Sequence, residues 1–339
     1  YKVTGAAGYA DIPSTPIGTV VVAKATPTLK LQDYDIYKEL SGTSQDPYTN
    51  LSSNSGTIGT GMYTKFHVDN DGDGTLSVTS TPGTGSATAD VPSSVTTGEV
   101  TVTGIAVGTA TITVTSAATT NYNSASKTFA ATVSDAVDLG LSVKWHVRNL
   151  DADSPGEAGG YYAWGAVSPA ANFPYNATPY YASGTTISNI VYTKYNSTDG
   201  RTILEAEDDA ASVNMPGWNS SSKVNSNGWH MPTATEINNL CALPNVWTNY
   251  DGSDGRMIFY HSSGKTDTNI FVPAAGYIRA GSATYEEVGT AGYIRSSEMY
   301  PTSPQKYNQL WGLWITSAKC QNEDCTNRTE GINIRPVQE

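Results

Sequence analysis

The sequence lacks several features that whole classes of protein depend on. Only 15% of its 339 residues are charged, and the formal net charge of −12 repels a phosphate backbone. Nucleic acid and anionic membrane surfaces are therefore not expected as partners. No run of about 18 apolar residues is present that would span a bilayer as a helix. Three cysteines are too few for a disulfide framework.

The local motifs of common catalytic centres are absent as well. The four histidines show no metal-ligand spacing; they are His67, His146, His230 and His261. There is no Gly-x-Ser-x-Gly, no His-Glu-x-x-His and no phosphate-binding glycine loop. Acidic pairs that hydrolyse glycosides form only in space, so the sequence leaves them open, although no pattern indicates them. We therefore predict a non-catalytic protein without a resident cofactor.

What the first half does contain is a series of apolar and polar alternations. Four segments alternate with a period of two, separated by turn residues: 75–79, 100–103, 110–115 and 129–133. Because successive side chains of a strand point to opposite faces, each segment offers one apolar face to a core. Strands at short intervals with no helices between them predict an all-β antiparallel sandwich.

One hairpin in this half resembles a known family. Residues 103–114, with glycines at 104 and 108 followed by Ala110 and Ile112, are similar to the closing hairpin of bacterial Ig-like domains of group 2. The resemblance implies an Ig-like spacer domain over residues 26–135, with a long polar insertion near 33–62. Residues 1–25 are either the tail of a preceding Ig-like repeat or the first strand of this sandwich.

The second half differs in composition, since all seven tryptophans lie after residue 136. Alternating apolar residues over 137–147 predict a strand. An apolar stripe with helical spacing predicts a helix over 203–213, with Thr202 and Glu205 as its capping box.

A second helix is predicted directly after Pro232. Thr233 and Glu236 form another capping box, and Pro244 ends the helix. Cys241 falls on its apolar face and is predicted to be a small core residue. Strands and short helices together predict an α+β domain over residues 136–339.

Six ordered segments of this domain resemble the Fibrobacter succinogenes major paralogous domain, found in secreted proteins of anaerobic gut-type bacteria. That family is similar to the C-type-lectin-like fold shared with formylglycine-generating enzymes, so the resemblance implies a C-type-lectin-like domain. Where the family has Gly-Tyr-Tyr-Trp-Ser-Ser, residues 292–297 here lack the tryptophan, and its binding role is not carried over. The segments are 137–145, 160–165, 204–211, 229–233, 271–277 and 331–337.

Two acidic segments raise the question of calcium. Asp208 and Asp209 belong to a run of four carboxylates, which either favours a helix N-terminus or holds a calcium ion with loop carbonyls; the first interpretation is preferred. Residues 69–74 are similar to the start of an EF-hand loop, but the twelfth position is Ser80 rather than a bidentate glutamate. A hairpin turn is predicted there instead.

Cys320 and Cys325 form a Cys-x4-Cys pair. Formylglycine-generating enzymes hold such a pair shortly before their closing strand, so one interpretation is a soft-metal thiolate site. Glu323 and Asp324 would raise a neighbouring thiol pKa, which disfavours it. A local disulfide that clips a surface turn is therefore the preferred prediction.

Aromatic residues in the last third are the remaining candidates for binding. Exposed aromatic rings can stack on sugar rings, whereas a core strand with both tryptophans buried is the alternative. The candidate ligand-binding set comprises the aromatic residues and their polar neighbours: Tyr293, Arg295, Glu298, Tyr300, Trp311 and Trp314.

These observations together predict an extracellular protein of the outer cell surface. The favoured function is non-catalytic adhesion or glycan binding, with the Ig-like spacer presenting the lectin-like module to glycans or to host or surface proteins. Attachment through a lipid anchor upstream of this sequence is one expectation. A structural or protein-binding subunit of a surface appendage is the first alternative, and an oxidase of the formylglycine-generating type is a less favoured one.

Overall fold

The computed structural model describes residues 22–84, 89–91, 94–95, 97–300 and 308–339. Within them the protein is mainly β, with several small, mostly antiparallel sheets and few helices. None of the described helices is both long and apolar enough to cross a membrane. Of the predicted repeat tail or first strand at 1–25, residues 1–21 lie outside the described part of the chain.

Two sheets form the first half. The elements of this half are β1 (Leu29–Gln32), α1 (Ile36–Ser41), β2 (Ser55–Gly59), β3 (Tyr63–Asn70), β4 (Leu76–Pro82), β5 (Ala89–Asp90), β6 (Ser94–Val95), β7 (Glu99–Gly104), β8 (Gly108–Ser116) and β9 (Ala125–Ser134). One sheet has the strand order β1-β3-β7-β5 and the other β2-β9-β8-β4-β6; among the strand pairs of the described residues, β2 with β9 is the only parallel one.

The predicted alternation is confirmed in β4, β7, β8 and β9. Val102 and Ile112 are fully buried, each with exposed or half-buried neighbours on either side in the strand. Phe66 of one sheet and Phe129 of the other are also fully buried, and their rings stack at a centroid distance of 5.0 Å. Each such side chain contributes about 1.5–3 kcal/mol by leaving water.

The acidic loop 69–74 corrects one detail of the sequence analysis. It connects β3 to β4, which lie in different sheets, so it is not the turn of a hairpin. Asp71 Oδ1 accepts a hydrogen bond from Thr28 N at 2.7 Å, and Asp73 Oδ1 accepts one from Thr119 Oγ1 at 2.5 Å. These carboxylates therefore fasten neighbouring loops together.

The elements of the second half are β10 (Ala136–Val137), β11 (Lys144–His146), β12 (Tyr181–Ser183), β13 (Val191–Tyr192), α2 (Ala210–Asn214), β14 (Trp218–Asn219), β15 (Val224–Asn225), β16 (Trp229–His230), α3 (Ala234–Cys241), β17 (Asn245–Tyr250), β18 (Ser253–Tyr260), β19 (Thr268–Pro273), β20 (Tyr277–Ile278), β21 (Tyr285–Glu286), β22 (Ala291–Met299), β23 (Gln309–Thr316), β24 (Cys320–Asn327) and β25 (Val337–Gln338). Short 3-10 turns occur at Tyr175–Ala177 and Ala206–Asp208. The described residues of this half form three sheets of three or more strands, ordered β10-β11-β25-β16, β17-β18-β19 and β22-β23-β24, and three two-stranded ones.

The strand predicted over 137–147 is only partly present. β10 and β11 form its ends, but the chain turns between them at Gly140, whose φ of +71° is a conformation that glycine adopts without strain. Leu139 and Trp145 are nevertheless fully buried. The apolar pattern thus indicates burial correctly while the continuous strand is wrong.

Of the two predicted helices, the structure confirms the start of one and differs from the predicted extent of the other. For α3 the capping box of Thr233 and Glu236 is confirmed. The helix predicted over 203–213 is wrong in extent, because α2 begins only after Asp209. The Asp209 carboxylate caps α2 by accepting a hydrogen bond from Ser212 N at 2.8 Å, whereas Glu205 makes no side-chain cap bond.

Apolar packing crosses the predicted boundary at residue 136. The segment predicted as a polar insertion, 33–62, places three buried side chains in the main apolar cluster of the second half: Tyr34, Ile36 and Met62. They share this cluster with Trp145, Phe259 and Phe271. The division into domains at 26–135 and 136–339 remains a prediction.

Buried hydrogen bonds reinforce the same junction. Asp267 Oδ2 accepts from Ile36 N at 2.6 Å, and the Asp267 carbonyl accepts from Thr64 Oγ1 at 2.8 Å. Asp33 Oδ2 accepts from Gly264 N at 2.9 Å. Since each of these polar groups would be costly to bury unpaired, the bonds fix how the first half meets β18 and β19.

Candidate functional site

The segments that carry the family resemblance meet around strand β22. Its backbone makes hydrogen bonds with four of them, so β22 is the centre of the second half. The bonds join Trp164 Nε1 to Ser296 O (3.1 Å), Leu204 N to Ser297 O (3.0 Å), Ser297 N to Pro232 O (2.9 Å) and Arg295 N to Asn333 O (3.0 Å).

Arg335, in the last of these segments, is fully buried. Its guanidinium donates to Asn149 Oδ1 at 2.9 Å, to the His146 carbonyl at 3.1 Å and to the Phe271 carbonyl at 2.8 Å. Burial lowers the pKa of Arg335 to about 9. The side chain therefore ties three distant stretches of chain together and is not available to a ligand.

Two members of the predicted ligand-binding set are buried. Tyr293 is 7% exposed, and its hydroxyl donates to Glu287 Oε2 at 2.6 Å. Arg295 is 0% exposed, and it donates to the carbonyls of Asn327 at 3.0 Å and Glu330 at 2.8 Å. In this structure neither side chain is open to a ligand.

The predicted tryptophans do not form one surface. Trp311 and Trp314 are three residues apart on β23, so a strand directs their side chains to opposite faces. Trp314 stacks on Tyr293 with the rings 7° from parallel. Trp311 instead contacts Tyr300 at a centroid distance of 4.4 Å. Both tryptophans and Tyr300 are half-buried.

Glu298 serves the N-terminus of α3. Its Oε2 accepts a hydrogen bond from Ala234 N, the first residue of that helix, at 3.0 Å. Helix N-termini leave N–H groups without intrahelical partners, and this carboxylate satisfies one of them. A structural role accounts for its position.

Asp208, the first predicted calcium ligand, is bound by a lysine and two tyrosines. Oδ2 accepts from Lys194 Nζ and from the Tyr195 hydroxyl, both at 2.5 Å, and Oδ1 accepts from the Tyr180 hydroxyl. Burial acts to raise the pKa of Asp208, but these hydrogen bonds and the charge of Lys194 outweigh it, and the pKa lies below its ordinary value.

Asp209, the second predicted ligand, caps α2 and accepts from Met231 N at 2.9 Å. The oxygens of Asp208 are thus occupied by an ammonium group and two hydroxyls, and those of Asp209 by backbone N–H groups. A calcium ion would need these oxygens to be free. This geometry gives no support to calcium at Asp208 or Asp209.

We predict that a chelator leaves the melting temperature unchanged, whereas Lys194→Met lowers the free energy of unfolding by about 3 kcal/mol. The substitution leaves a buried carboxylate without its opposite charge. Lys223→Met is the matched control, because Lys223 bonds the same acidic run from a side chain that is 59% exposed. Differential scanning calorimetry with and without EDTA checks both parts. A fall in melting temperature caused by EDTA would contradict the prediction.

The local disulfide predicted between Cys320 and Cys325 does not form in this structure. The two residues lie on the single strand β24, and an extended chain separates residues five apart by roughly 15 Å, beyond the reach of a disulfide. Cys320 is a free thiol here, and its Sγ lies 3.2 Å from Cys241 Sγ instead. The side chain of Cys325 lies outside the described part of the structure.

Sequence reasoning missed one cluster with metal-ligand character. Ligand atoms of Asp35, His261 and Asp267 all lie within 4.8 Å of one another, beside a cavity of about 200 Å³. His261 Nδ1 is 2.6 Å from Asp267 Oδ1. The carboxylates already accept backbone hydrogen bonds, from Lys38 N and Ile36 N, so they are placed to hold the junction. Spacing gave no signal, since Asp35 is far from the other two in sequence.

A polar cleft of about 330 Å³ lies where β2 and β9 approach β18 and β19. It is lined largely by serine and threonine residues, together with Tyr260, Asp138 and Lys265. These residue types carry both donors and acceptors and include one aromatic side chain. This cleft was not anticipated, because its walls come from both halves of the chain.

No family model matches the chain, and no curated protein matches it. It is similar to domains 4 and 5 of the S-layer protein SbsC (21% identity, 38% of this chain and 87% of that chain, TM-score 0.18). It is also similar to SbsC domains 5–6 (12% identity, 85% and 95%, TM-score 0.21).

TM-scores this low carry no argument about the fold or the function of this chain. The Ig-like and Fibrobacter-type resemblances therefore remain predictions from sequence.

His146 makes the stability of the protein depend on pH. Burial first, and then the charge of Arg335, lower the pKa of His146 to about 4. Between an unfolded pKa near 6.5 and pH 4 the unfolded chain therefore binds a proton that the folded protein does not. We predict that this group alone costs about 3 kcal/mol of stability on going from pH 7 to pH 4.

Urea unfolding of the wild type and His146→Phe at several pH values tests this prediction. The variant should lose stability less steeply as the pH falls. His230→Gln is the control of opposite sign, because burial acts to lower the pKa of His230 but the hydrogen bonds with Glu236 and Gly228 and the nearby carboxylates together raise it. Equal pH slopes for wild type and His146→Phe would refute the assignment.

Proposed function

We propose that this protein is a non-catalytic structural or protein-binding component of a bacterial cell surface. The low charge, the hydroxyl-rich composition and the mainly β architecture are typical of extracellular proteins. The favoured prediction from sequence was a lectin-like tip on a separate spacer. The geometry supports the structural alternative better.

The observation that carries this proposal is the shared core of the two halves. Ile36 and Met62, from the first half, are fully buried among apolar residues of the second. Buried hydrogen bonds through Asp33 and Asp267 fasten the same junction. A spacer that presents a tip does not require such an interface, whereas a structural surface element benefits from one because the shared core resists separation of the two halves.

The burial and bonding of three polar side chains support the same proposal. Arg295, Arg335 and Asp209 are buried and bond to groups of other chain segments. Groups engaged in this way hold the molecule in shape and are poor candidates for catalysis or ligand recognition. A structural subunit needs no reactive centre, so polar groups that are used up in structural hydrogen bonds fit that role.

A competition experiment tests this function. The full chain, immobilised, is incubated with purified envelope proteins of the source bacterium, with and without an excess of mucin and plant oligosaccharides. We expect a protein partner to be retained equally with and without the sugars. We also expect the full chain to bind no glycan on a glycan array. Retention abolished by a sugar, or strong binding on the array, would reject the structural role in favour of glycan recognition.

Glycan binding is the second candidate, and the polar cleft favours it. Tyr260 supplies an aromatic face, while Asp138 and Lys265 supply an acceptor and donors for sugar hydroxyls. If sugars bind there, Tyr260→Ala abolishes the signal on the array. Tyr285→Ala is the matched control, because this tyrosine is 50% exposed and outside the cleft. Loss of binding in Tyr300→Ala or Trp311→Ala would instead place the sugar on the aromatic pair.

A further inference from the structure

Two cysteines that are far apart in sequence meet in the second half. Cys241 is the last residue of α3 and Cys320 is the first residue of β24, and their sulfur atoms are 3.2 Å apart across 79 positions of sequence. Both side chains are half-buried and pack against the main apolar cluster. The two elements are therefore held in register by a packed core, independently of the thiols.

We propose that Cys241 and Cys320 form a disulfide bond that staples α3 to β24 when the protein is exposed to an oxidising environment. A disulfide has a sulfur–sulfur distance of about 2.05 Å, so the atoms need to approach by about 1 Å.

The surroundings give the two thiols different roles. The hydrogen bond between the two thiols lowers the pKa of Cys320 despite its burial, and the nearby guanidinium of Arg256 lowers it further. Arg256 is fixed there by hydrogen bonds to the carbonyls of Thr316 and Lys319, at 2.9 and 3.0 Å. The same sulfur contact, followed by burial, raises the pKa of Cys241. Because Arg256 is bonded to the carbonyl of Lys319, next to Cys320 in the chain, its positive charge favours the Cys320 thiolate, and the first attack is assigned to Cys320 and the second to Cys241.

The oxidant is a small-molecule disulfide such as oxidised glutathione. The Cys320 thiolate attacks one glutathione sulfur, a mixed disulfide forms, and the first glutathione leaves as a thiolate. Cys241 then gives up its proton and attacks the Cys320 sulfur, which breaks the mixed disulfide and releases the second glutathione. Two protein thiols are oxidised, and one glutathione disulfide is reduced to two thiols.

Cys325 is the competing partner that the sequence favoured. It lies on the same extended strand as Cys320, so a bond between them would require β24 to unfold locally, whereas Cys241 is already in contact. The geometry therefore leaves Cys325 as the odd thiol.

Peptide mapping of the full chain tests the pairing. The protein is equilibrated with oxidised glutathione, the remaining thiols are alkylated, and the unreduced digest is analysed by mass spectrometry. We expect one cross-linked species that joins the peptides of Cys241 and Cys320, with Cys325 alkylated. Three alkylated cysteines, or a cross-link that includes Cys325, would overturn the proposal.

A stability measurement provides the second arm. Since the bond closes a long loop, dithiothreitol should lower the melting temperature of the oxidised wild type by about 5–10 °C. Cys241→Ser and Cys320→Ser should each melt at the lower temperature and lose the response to dithiothreitol. Cys325→Ser is the matched control and should keep both the higher melting temperature and the response. A wild-type melting temperature that dithiothreitol leaves unchanged would count against the staple.

Discussion

Replacing Arg335 by lysine is expected to lower the free energy of unfolding by about 3–5 kcal/mol, although the charge is kept. The guanidinium serves three acceptors that lie in different directions, on Asn149, His146 and Phe271. A single ammonium group cannot reach all three, and each buried acceptor left unpaired costs about 1–3 kcal/mol. Urea unfolding followed by tryptophan fluorescence measures the change.

Arg279→Lys is the matched control for this substitution. Its side chain is 66% exposed and makes a surface ion pair with Glu286 at 3.2 Å. Exposed pairs of this kind are worth little, so we expect a change below about 0.5 kcal/mol. If Arg335→Lys were as mild as the control, Arg335 would not be the structural tie described above, and its availability to a ligand would need to be reconsidered.

Replacing Ile36 by alanine is expected to lower the free energy of unfolding by about 3 kcal/mol. Ile36 belongs to the first half, yet it is 0% exposed within the apolar cluster of the second half. The cavity should therefore destabilise a region that tryptophan reports, since all seven tryptophans lie after residue 136. The midpoint of the fluorescence transition in urea is the measurement.

Leu40→Ala is the control for Ile36 because it lies on the same short helix α1 and is 37% exposed. We expect it to cost less than about 1 kcal/mol. An Ile36→Ala protein whose fluorescence transition coincides with that of the wild type would show that helix α1 does not pack on the second half in solution.

Sequence reasoning predicted the elements whose signals are local. The period-two alternation of β8 and β9 directly determines which side chains face the core, and the capping box at Thr233 needs only two residues three apart. The helix over 203–213 failed because a distant lysine and tyrosines bind Asp208, while Asp209 caps a new helix from within the apolar stripe. Helical spacing does not reveal the hydrogen-bond partners of either Asp208 or Asp209.

The binding role of the candidate residues remains a prediction, but their surroundings could be foreseen only in part. The odd spacing of Trp311 and Trp314 already implies opposite faces once β23 is recognised as a strand. The burial of Arg295 depends on carbonyls more than thirty residues away, and the contact of Cys320 with Cys241 spans 79 positions. Only the folded structure brings these groups together.

If the two halves behave as one structural body, Ile112→Ala should destabilise both of them. Ile112 is fully buried in the sandwich of the first half, in a different apolar cluster from the tryptophans. We expect this cavity, worth about 3 kcal/mol, to move the tryptophan fluorescence midpoint of the full chain to lower urea. A fluorescence transition that stays at the wild-type midpoint, while amide exchange shows the sandwich opening earlier, would contradict it.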